Sequence, residues 1–176
     1  MDLKTFHSLL MPPSLEVIRF LKSEGVRVDA LCEPELPAFP RVEFHDELPF
    51  FHLSDDDGAG PALVFLARDD LNGPDDFVAW SPRQKRLASW YDTPILGAEQ
   101  LYAPRIELDG ALKIYESPMG WLRNGRDGVV VINQRRAAWI LFRVGPFVAE
   151  TAEHARLVAA IVDMPPPVVL VRDRPQ

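Results

Sequence analysis

The chain has 176 residues, of which 47% are hydrophobic and 10% aromatic, so it can bury the core of one domain and is not a disordered protein. Its net charge is −7 and its one cysteine, Cys32, excludes an internal disulfide framework. The start of the chain lacks signal-peptide features and no apolar run reaches the roughly 20 residues of a membrane span, so we expect a cytoplasmic protein without a membrane segment.

The N-terminal third is predicted to combine short helices with short strands. Helices are expected over residues 3–11 and 14–24, the second beginning at the N-cap Ser14 and ending at Gly25. Strands are expected over three short segments, 26–31, 42–45 and 50–53.

The middle of the chain is predicted to be mainly antiparallel. Strands are expected at 62–67, 77–80 and 84–91, followed by a helical turn at 97–102. Asp109-Gly110 lies between two alternating apolar runs, which predicts a hairpin joining 106–108 to 112–116. Ser117-Pro118 then begins a short helix that extends to residue 122, since proline suits the first turn of a helix.

The last third alternates apolar strands with amphipathic helices. The expected elements are a strand at 129–132, a helix at 135–144, a strand at 147–150, a helix at 152–163 and a strand at 168–171. This order predicts a small parallel sheet with right-handed crossovers. We therefore expect one α+β domain spanning 1–176, with N-terminal helices and mostly antiparallel strands over subregion 1–60 and beyond, and a βαβαβ layer at 126–173.

One segment holds a dense set of metal-ligand residue types. His45, His52, Asp55 and Asp57 lie within 13 residues, and imidazole with carboxylate can hold a divalent ion when three or four groups converge. Their spacing matches no established metal motif. The alternative is an acidic loop in contact with solvent.

The chain is acidic in its first part and basic in its second. Residues 1–76 carry a net charge of −10 and residues 77–176 a net charge of +3. Arg123, Arg126, Arg135 and Arg136 form a basic concentration near two tryptophans, a combination that binds single-stranded nucleic acid in other proteins. The alternative is that these arginines pair with the acidic half, since the overall pI of 5.1 is far below that of typical nucleic-acid-binding domains.

No established catalytic motif is present. The chain lacks the Gly-x-Ser-x-Gly nucleophile elbow, the phosphate-binding Gly-x-x-x-x-Gly-Lys-Ser/Thr loop and the Gly-x-Gly-x-x-Gly fingerprint. The glycine-rich stretch 120–128 precedes a predicted strand, whereas a dinucleotide site needs such a stretch after one. We therefore predict no catalytic residue and no cofactor.

Two resemblances place the chain among known proteins. The parallel tail resembles a Toprim domain, which implies a glutamate after the first strand and Asp-x-Asp after a later one. Here Asn133-Gln134 follows the first predicted strand and Glu150 alone ends the next, so only a degenerate relative is expected. The segments 76–80, 96–99, 118–123 and 128–132 resemble uncharacterised small proteins of proteobacterial prophages and mobile elements, a family that implies no activity.

The sequence thus favours a non-catalytic binding or accessory protein that acts through a protein partner. The competing hypothesis is a nucleic-acid-binding or metal-dependent nucleic-acid-processing factor. It would use the His45–Asp57 group or the arginine group.

Overall fold

The computed structural model describes residues 12–32, 35–69, 71, 73–101 and 110–164. These residues confirm an α+β fold with two antiparallel sheets and one mixed sheet. The helices are α1 Leu15–Ser23, α2 Val28–Cys32, α3 Pro118–Arg123, α4 Gln134–Leu141 and α5 Ala152–Val162, with a 3₁₀ turn at Ala98–Gln100. The strands are β1 Arg41–Phe44, β2 Phe51–Leu53, β3 Gly60–Pro61, β4 Leu63–Arg68, β5 Pro74–Ser81, β6 Arg86–Ser89, β7 Ile95–Leu96, β8 Leu112–Tyr115, β9 Val129–Val131 and β10 Phe147–Ala149.

Most of the predicted elements in these ranges are confirmed. The Ser14 side chain accepts a hydrogen bond from the Val17 backbone N–H and caps α1, as its sequence indicates. Asn133 and Thr151 cap α4 and α5 in the same way. The predicted helix 3–11, the first strand of the 106–108 hairpin and the predicted strand 168–171 lie outside the described residues.

The strand predicted at 26–31 is wrong, because this segment contains α2. Ala30 and Leu31 are buried next to each other while Val28 and Asp29 are exposed, so the burial does not alternate as in a half-buried strand. The carbonyl groups of Ala30 and Leu31 accept hydrogen bonds from the Arg126 side chain. This distant guanidinium satisfies the end of a five-residue helix that has little stability of its own.

The two antiparallel sheets share one core. The first sheet has the order β2-β1-β3 and the second has the order β4-β5-β6. Val42 and Phe44 of β1 pack with Phe51, Val64 and Phe77 in one buried cluster. The strand predicted at 77–80 is confirmed as the longer β5, and the strand predicted at 84–91 is confirmed as the shorter β6. The two strands pair antiparallel.

The mixed sheet has the order β10-β8-β9-β7, in which β10, β8 and β9 are parallel and β7 is antiparallel to β9. The parallel layer is confirmed, but its first strand is β8, not β9. Leu112 and Ile114 of β8 face a cluster that contains α4 and α5, and Tyr115 faces the cluster that contains α3. Helices therefore cover both faces of this sheet.

Gly128 lets β8 and β9 approach each other. Its φ is +116°, and a Cβ at this position would lie 2.5 Å from the Lys113 carbonyl oxygen. A side chain here would force the backbones of β8 and β9 apart where β9 begins, so glycine is required.

Candidate functional site

The predicted metal ligands lie along the β2-β1-β3 sheet without converging. His52 Nε2 lies 3.4 Å from the Glu43 carboxylate, its partner across β1 and β2. His45 Nδ1 accepts a hydrogen bond from the Glu47 backbone N–H, while Asp55 and Asp57 are exposed in the following turn. In the ranges that the structure describes, no three histidine, cysteine, aspartate or glutamate residues are placed to hold a metal ion. Metal binding at His45, His52, Asp55 and Asp57 stays a prediction without a converged ligand set.

The four predicted nucleic-acid-binding arginines have separate surroundings. Arg123 pairs with Glu24 at 2.6 Å, and Arg136 pairs with Asp92. Arg126 is buried, and Arg135 is exposed and forms no ion pair with a described residue. Three of the four therefore engage in contacts within the molecule, although the side chains of Arg123 and Arg136 remain 46% and 55% exposed.

Arg126 organises a buried cluster of charges. Its Nε donates to the Ala30 carbonyl oxygen at 2.7 Å and its Nη2 to the Glu35 carbonyl oxygen at 3.0 Å. The guanidinium lies 5.3 Å above the Trp121 ring, within cation–π range. Its contacts join α2 and the segment after it to α3.

Two carboxylates and a second arginine complete this cluster. Glu35 pairs with Arg68 at 2.5 Å, and Glu99 lies in the electrostatic range of both arginines. Burial raises the pKa of the Glu99 carboxyl and lowers the pKa of the Arg126 guanidinium. The cluster positions the N-terminal helices. Sequence reasoning missed Glu35, Arg68 and Glu99 as members of it, because no local pattern links residues so distant in sequence.

A second group of polar side chains lies at the carboxyl edge of the mixed sheet. The backbone N–H of Glu116, which follows β8, donates to the Glu150 carboxylate, which follows β10, at 2.7 Å. A Cβ added to Gly120 of α3 would lie 2.3 Å from Glu150 Oε1, so glycine is needed for this carboxylate to rest on the helix. The buried His154 accepts from the Glu150 N–H at 3.4 Å.

This edge is the topological switch point of the parallel strands. The connection after β8 runs through α3 on one face, and the connection after β10 runs through α5 on the other. Ligands of open α/β sheets bind in such crevices. Sequence reasoning identified Glu150 but missed Glu116, because Leu112–Tyr115 was assigned to a hairpin and not to the parallel sheet.

The carboxyl edge supplies too few ligands for a metal ion. Glu116 and Glu150 are two carboxylates, and Glu150 is already bonded to the Glu116 N–H. Thr151 and Ala152 follow Glu150 where a Toprim site would continue Asp-x-Asp. These residues do not fit a metal centre, so no metal-dependent step is derived from them.

No family model, no curated protein and no solved structure matches this chain. Within the described ranges, every helix is too short or too polar to cross a membrane.

An apolar groove lies between the C-terminal ends of α4 and α5. It has a volume of about 400 Å³ and is lined by Ala138, Trp139, Phe142, Arg143, Val162, Asp163 and Met164. Phe142 is 76% exposed and Trp139 is 41% exposed. Arg143 and Asp163 place one charge of each sign beside these rings.

Proposed function

We propose that the protein is a non-catalytic binding protein and that a protein partner occupies the groove between α4 and α5. The exposure of Trp139 in α4 and of Phe142, the C-cap residue of the same helix, carries this proposal. Two large rings in contact with water are unfavourable in an isolated protein, and adjacent exposed rings are typical of interaction sites.

The composition of the groove supports a polypeptide partner. Tryptophan, arginine and methionine are enriched where interfaces derive most of their binding free energy, and Trp139, Arg143 and Met164 line this groove. The expected occupant is a short segment of another protein that inserts an apolar side chain between Trp139 and Phe142. Arg143 and Asp163 would fix its orientation through polar contacts at the rim.

The polar groups elsewhere support a role without chemistry. The Arg126 cluster is engaged with backbone carbonyl groups, and the Glu150 carboxylate is engaged with the backbone of Glu116. Both sets of contacts hold the fold together and leave no nucleophile beside a general base among the residues described here.

The test compares partner capture by the wild-type protein and by Phe142→Ser. A partner of the groove is retained by the wild type and lost with Phe142→Ser, because truncating a central aromatic residue removes about 2 kcal/mol or more of binding free energy. The interaction is then measured with both proteins purified, by isothermal titration calorimetry, and the dissociation constant should rise at least about thirtyfold in the variant.

The matched control is Leu48→Ser, because Leu48 is also an exposed large apolar residue, at 50%, in the bend between β1 and β2. The control should retain the same partner with an unchanged dissociation constant. Identical binding by the wild type and both variants would overturn the proposal. So would a groove whose only occupant in purified protein is a second copy of this chain.

A degenerate Toprim-like role in nucleic-acid processing is the second candidate. The position of Glu116 favours it, since this glutamate follows the first of the three parallel strands and lies next to Glu150. The test is fluorescence anisotropy of a labelled single-stranded oligonucleotide, with and without Mg²⁺. Binding that weakens steeply with salt and that changes in Glu116→Gln supports this candidate, and absence of binding at low salt rejects it.

The proposal includes the cellular location of the protein and its association with a prophage or mobile element. A cytoplasmic location agrees with the one cysteine, Cys32, which is free and exposed. The role as an accessory protein of a prophage or mobile element rests on the sequence resemblance alone.

A further inference from the structure

A cleft lies between the hairpin of β5 and β6 and the connection from β8 to α3. It has a volume of about 410 Å³, in the range of sites that bind small molecules. The hairpin contributes apolar residues and Lys85, and the connection contributes Glu116, Ser117 and Pro118. The cleft is separate from the groove between α4 and α5, since no residue lines both.

The apolar part of the cleft is held in place by the core. Trp80 of β5 and Leu87 of β6 are directly opposite each other in the antiparallel pair, so their side chains lie on one face of the sheet. Trp80 belongs to the buried cluster that contains Tyr115 and Trp121, and Leu87 packs against this cluster. An apolar group of a ligand would therefore bind to a surface that is already formed.

Lys85 supplies a positive charge at the cleft. Its φ is +52°, in the left-handed region that glycine adopts more readily than lysine. Residues held in this region are frequent at ligand-binding sites. The Lys85 side chain is exposed and forms no ion pair with a residue of the described ranges, so its ammonium group is available to a carboxylate.

The connection after β8 supplies a carboxylate and a hydroxyl group. Glu116 is exposed, and its side chain pairs with no described cation. The Glu150 carboxylate accepts a hydrogen bond from the Glu116 backbone N–H and adds a second negative charge nearby. Ser117 precedes α3 but, unlike Ser14 before α1, makes no capping hydrogen bond with its side chain. These groups suit a cation that donates hydrogen bonds, such as an ammonium group.

We propose that this cleft binds a free α-amino acid with a large apolar side chain. Lys85 binds the carboxylate of the ligand, Glu116 binds its ammonium group, and the face formed by Trp80 and Leu87 contacts its side chain. Charges of opposite sign at one cleft match a zwitterion. They disfavour an anion such as phosphate, which the carboxylates of Glu116 and Glu150 would repel.

Isothermal titration calorimetry of the full-length chain with L-phenylalanine tests the proposal. Saturable binding is expected, and glycine should bind at least about tenfold more weakly, because it lacks the side chain that Trp80 and Leu87 contact. Absence of saturable binding of L-phenylalanine at millimolar concentration would overturn the proposal.

The same titration of Phe142→Ser separates this cleft from the groove proposed for a protein partner. Phe142→Ser should bind L-phenylalanine as tightly as the wild type, because Phe142 lines the groove and not the cleft. A loss of binding in this variant would place the ligand in the groove and would also overturn the proposal.

Two analogues and two variants test the assigned charges. Hydrocinnamate lacks the ammonium group of phenylalanine, and phenethylamine lacks its carboxylate. Lys85→Met should weaken binding of L-phenylalanine and hydrocinnamate about tenfold without weakening that of phenethylamine. Glu116→Gln should weaken binding of L-phenylalanine and phenethylamine about tenfold without weakening that of hydrocinnamate.

The matched controls are Lys22→Met and Glu16→Gln, which make the same exchanges at exposed positions of α1. Both should leave all three affinities unchanged. Equal losses for hydrocinnamate and phenethylamine in Lys85→Met would contradict the proposal, because Lys85 would then support the fold of the cleft and not bind a carboxylate.

Discussion

Arg126 donates a hydrogen bond from Nε to the carbonyl oxygen of Ala30 at 2.7 Å, across 96 residues of sequence. Arg126 is 8% exposed. Its guanidinium donates hydrogen bonds to three carbonyl oxygens, those of Ala30 and Leu31 in α2 and that of Glu35 after it. This contact makes the position of the N-terminal helices depend on a loop of the mixed-sheet half of the chain.

Replacing Arg126 by methionine should destabilise the protein by about 2–4 kcal/mol. The substitution keeps much of the apolar stem but leaves three buried carbonyl groups without their donor. Urea unfolding followed by circular dichroism measures this change. Arg123→Met is the control, since its exposed pair with Glu24 is expected to contribute less than about 1 kcal/mol. Equal losses in the two variants would contradict the assignment.

Asp76→Asn should cost about 2–4 kcal/mol of unfolding free energy. The Asp76 carboxylate is 1% exposed and accepts from the backbone N–H groups of Phe77, Tyr91, Asp92 and Thr93 at 2.7–3.0 Å. An asparagine places an NH₂ group against one or more of these donors. The neighbouring Asp75→Asn, at an exposed position, should change the urea midpoint little. A midpoint for Asp76→Asn equal to that of Asp75→Asn would refute this role.

Glu99→Gln should raise stability at neutral pH. Burial raises the pKa of Glu99 in the folded protein above its value of 4.5 in the unfolded chain. The folded state therefore holds this proton more tightly, and its contribution is complete below pH 4.5 and is lost as the pH rises through the folded pKa. Thermal unfolding of both proteins from pH 4 to pH 8 should show their difference growing with pH. A difference that is constant over this range would contradict the prediction.

Tyr115 should resist deprotonation until about pH 12. Burial raises its pKa from 10.0 to about 12, with smaller contributions from Asp127 and Glu150. The unfolded chain loses the proton near pH 10, so stability falls between pH 10 and pH 12 in the wild type and falls less in Tyr115→Phe. The ultraviolet absorbance difference between the two folded proteins should show a phenolate step near 12. A step near 10 would mean that the ring is not buried as described.

Local patterns predicted most helices and strands, because capping and periodicity depend on neighbouring residues. The predicted N-cap Ser14 begins α1, and the helices predicted at 135–144 and 152–163 are confirmed as α4 and α5. Segment 26–31 was mistaken for a strand because the bonds that hold α2 come from Arg126, which no local window contains.

At the candidate sites, the sequence could not predict the contacts between residues that are distant in the chain. β8 pairs in parallel with two strands that follow it, and this partnership alone places Glu116 beside Glu150. The Arg126 cluster was missed for the same reason, since Glu35, Arg68 and Glu99 approach it only in the folded chain. The exposure of Trp139 and Phe142 was not predicted either, since it depends on which described elements pack against α4 and its C-cap.

The central position of β8 has a consequence for synthesis on the ribosome. Leu112 of β8 pairs with Phe147 of β10, so β8 leaves the ribosome long before its neighbour β10. Until then one side of a buried, apolar strand has no neighbour, a state in which nascent chains are prone to misassociate. We expect translation pauses or chaperone contacts to matter most while residues 116–147 are being made.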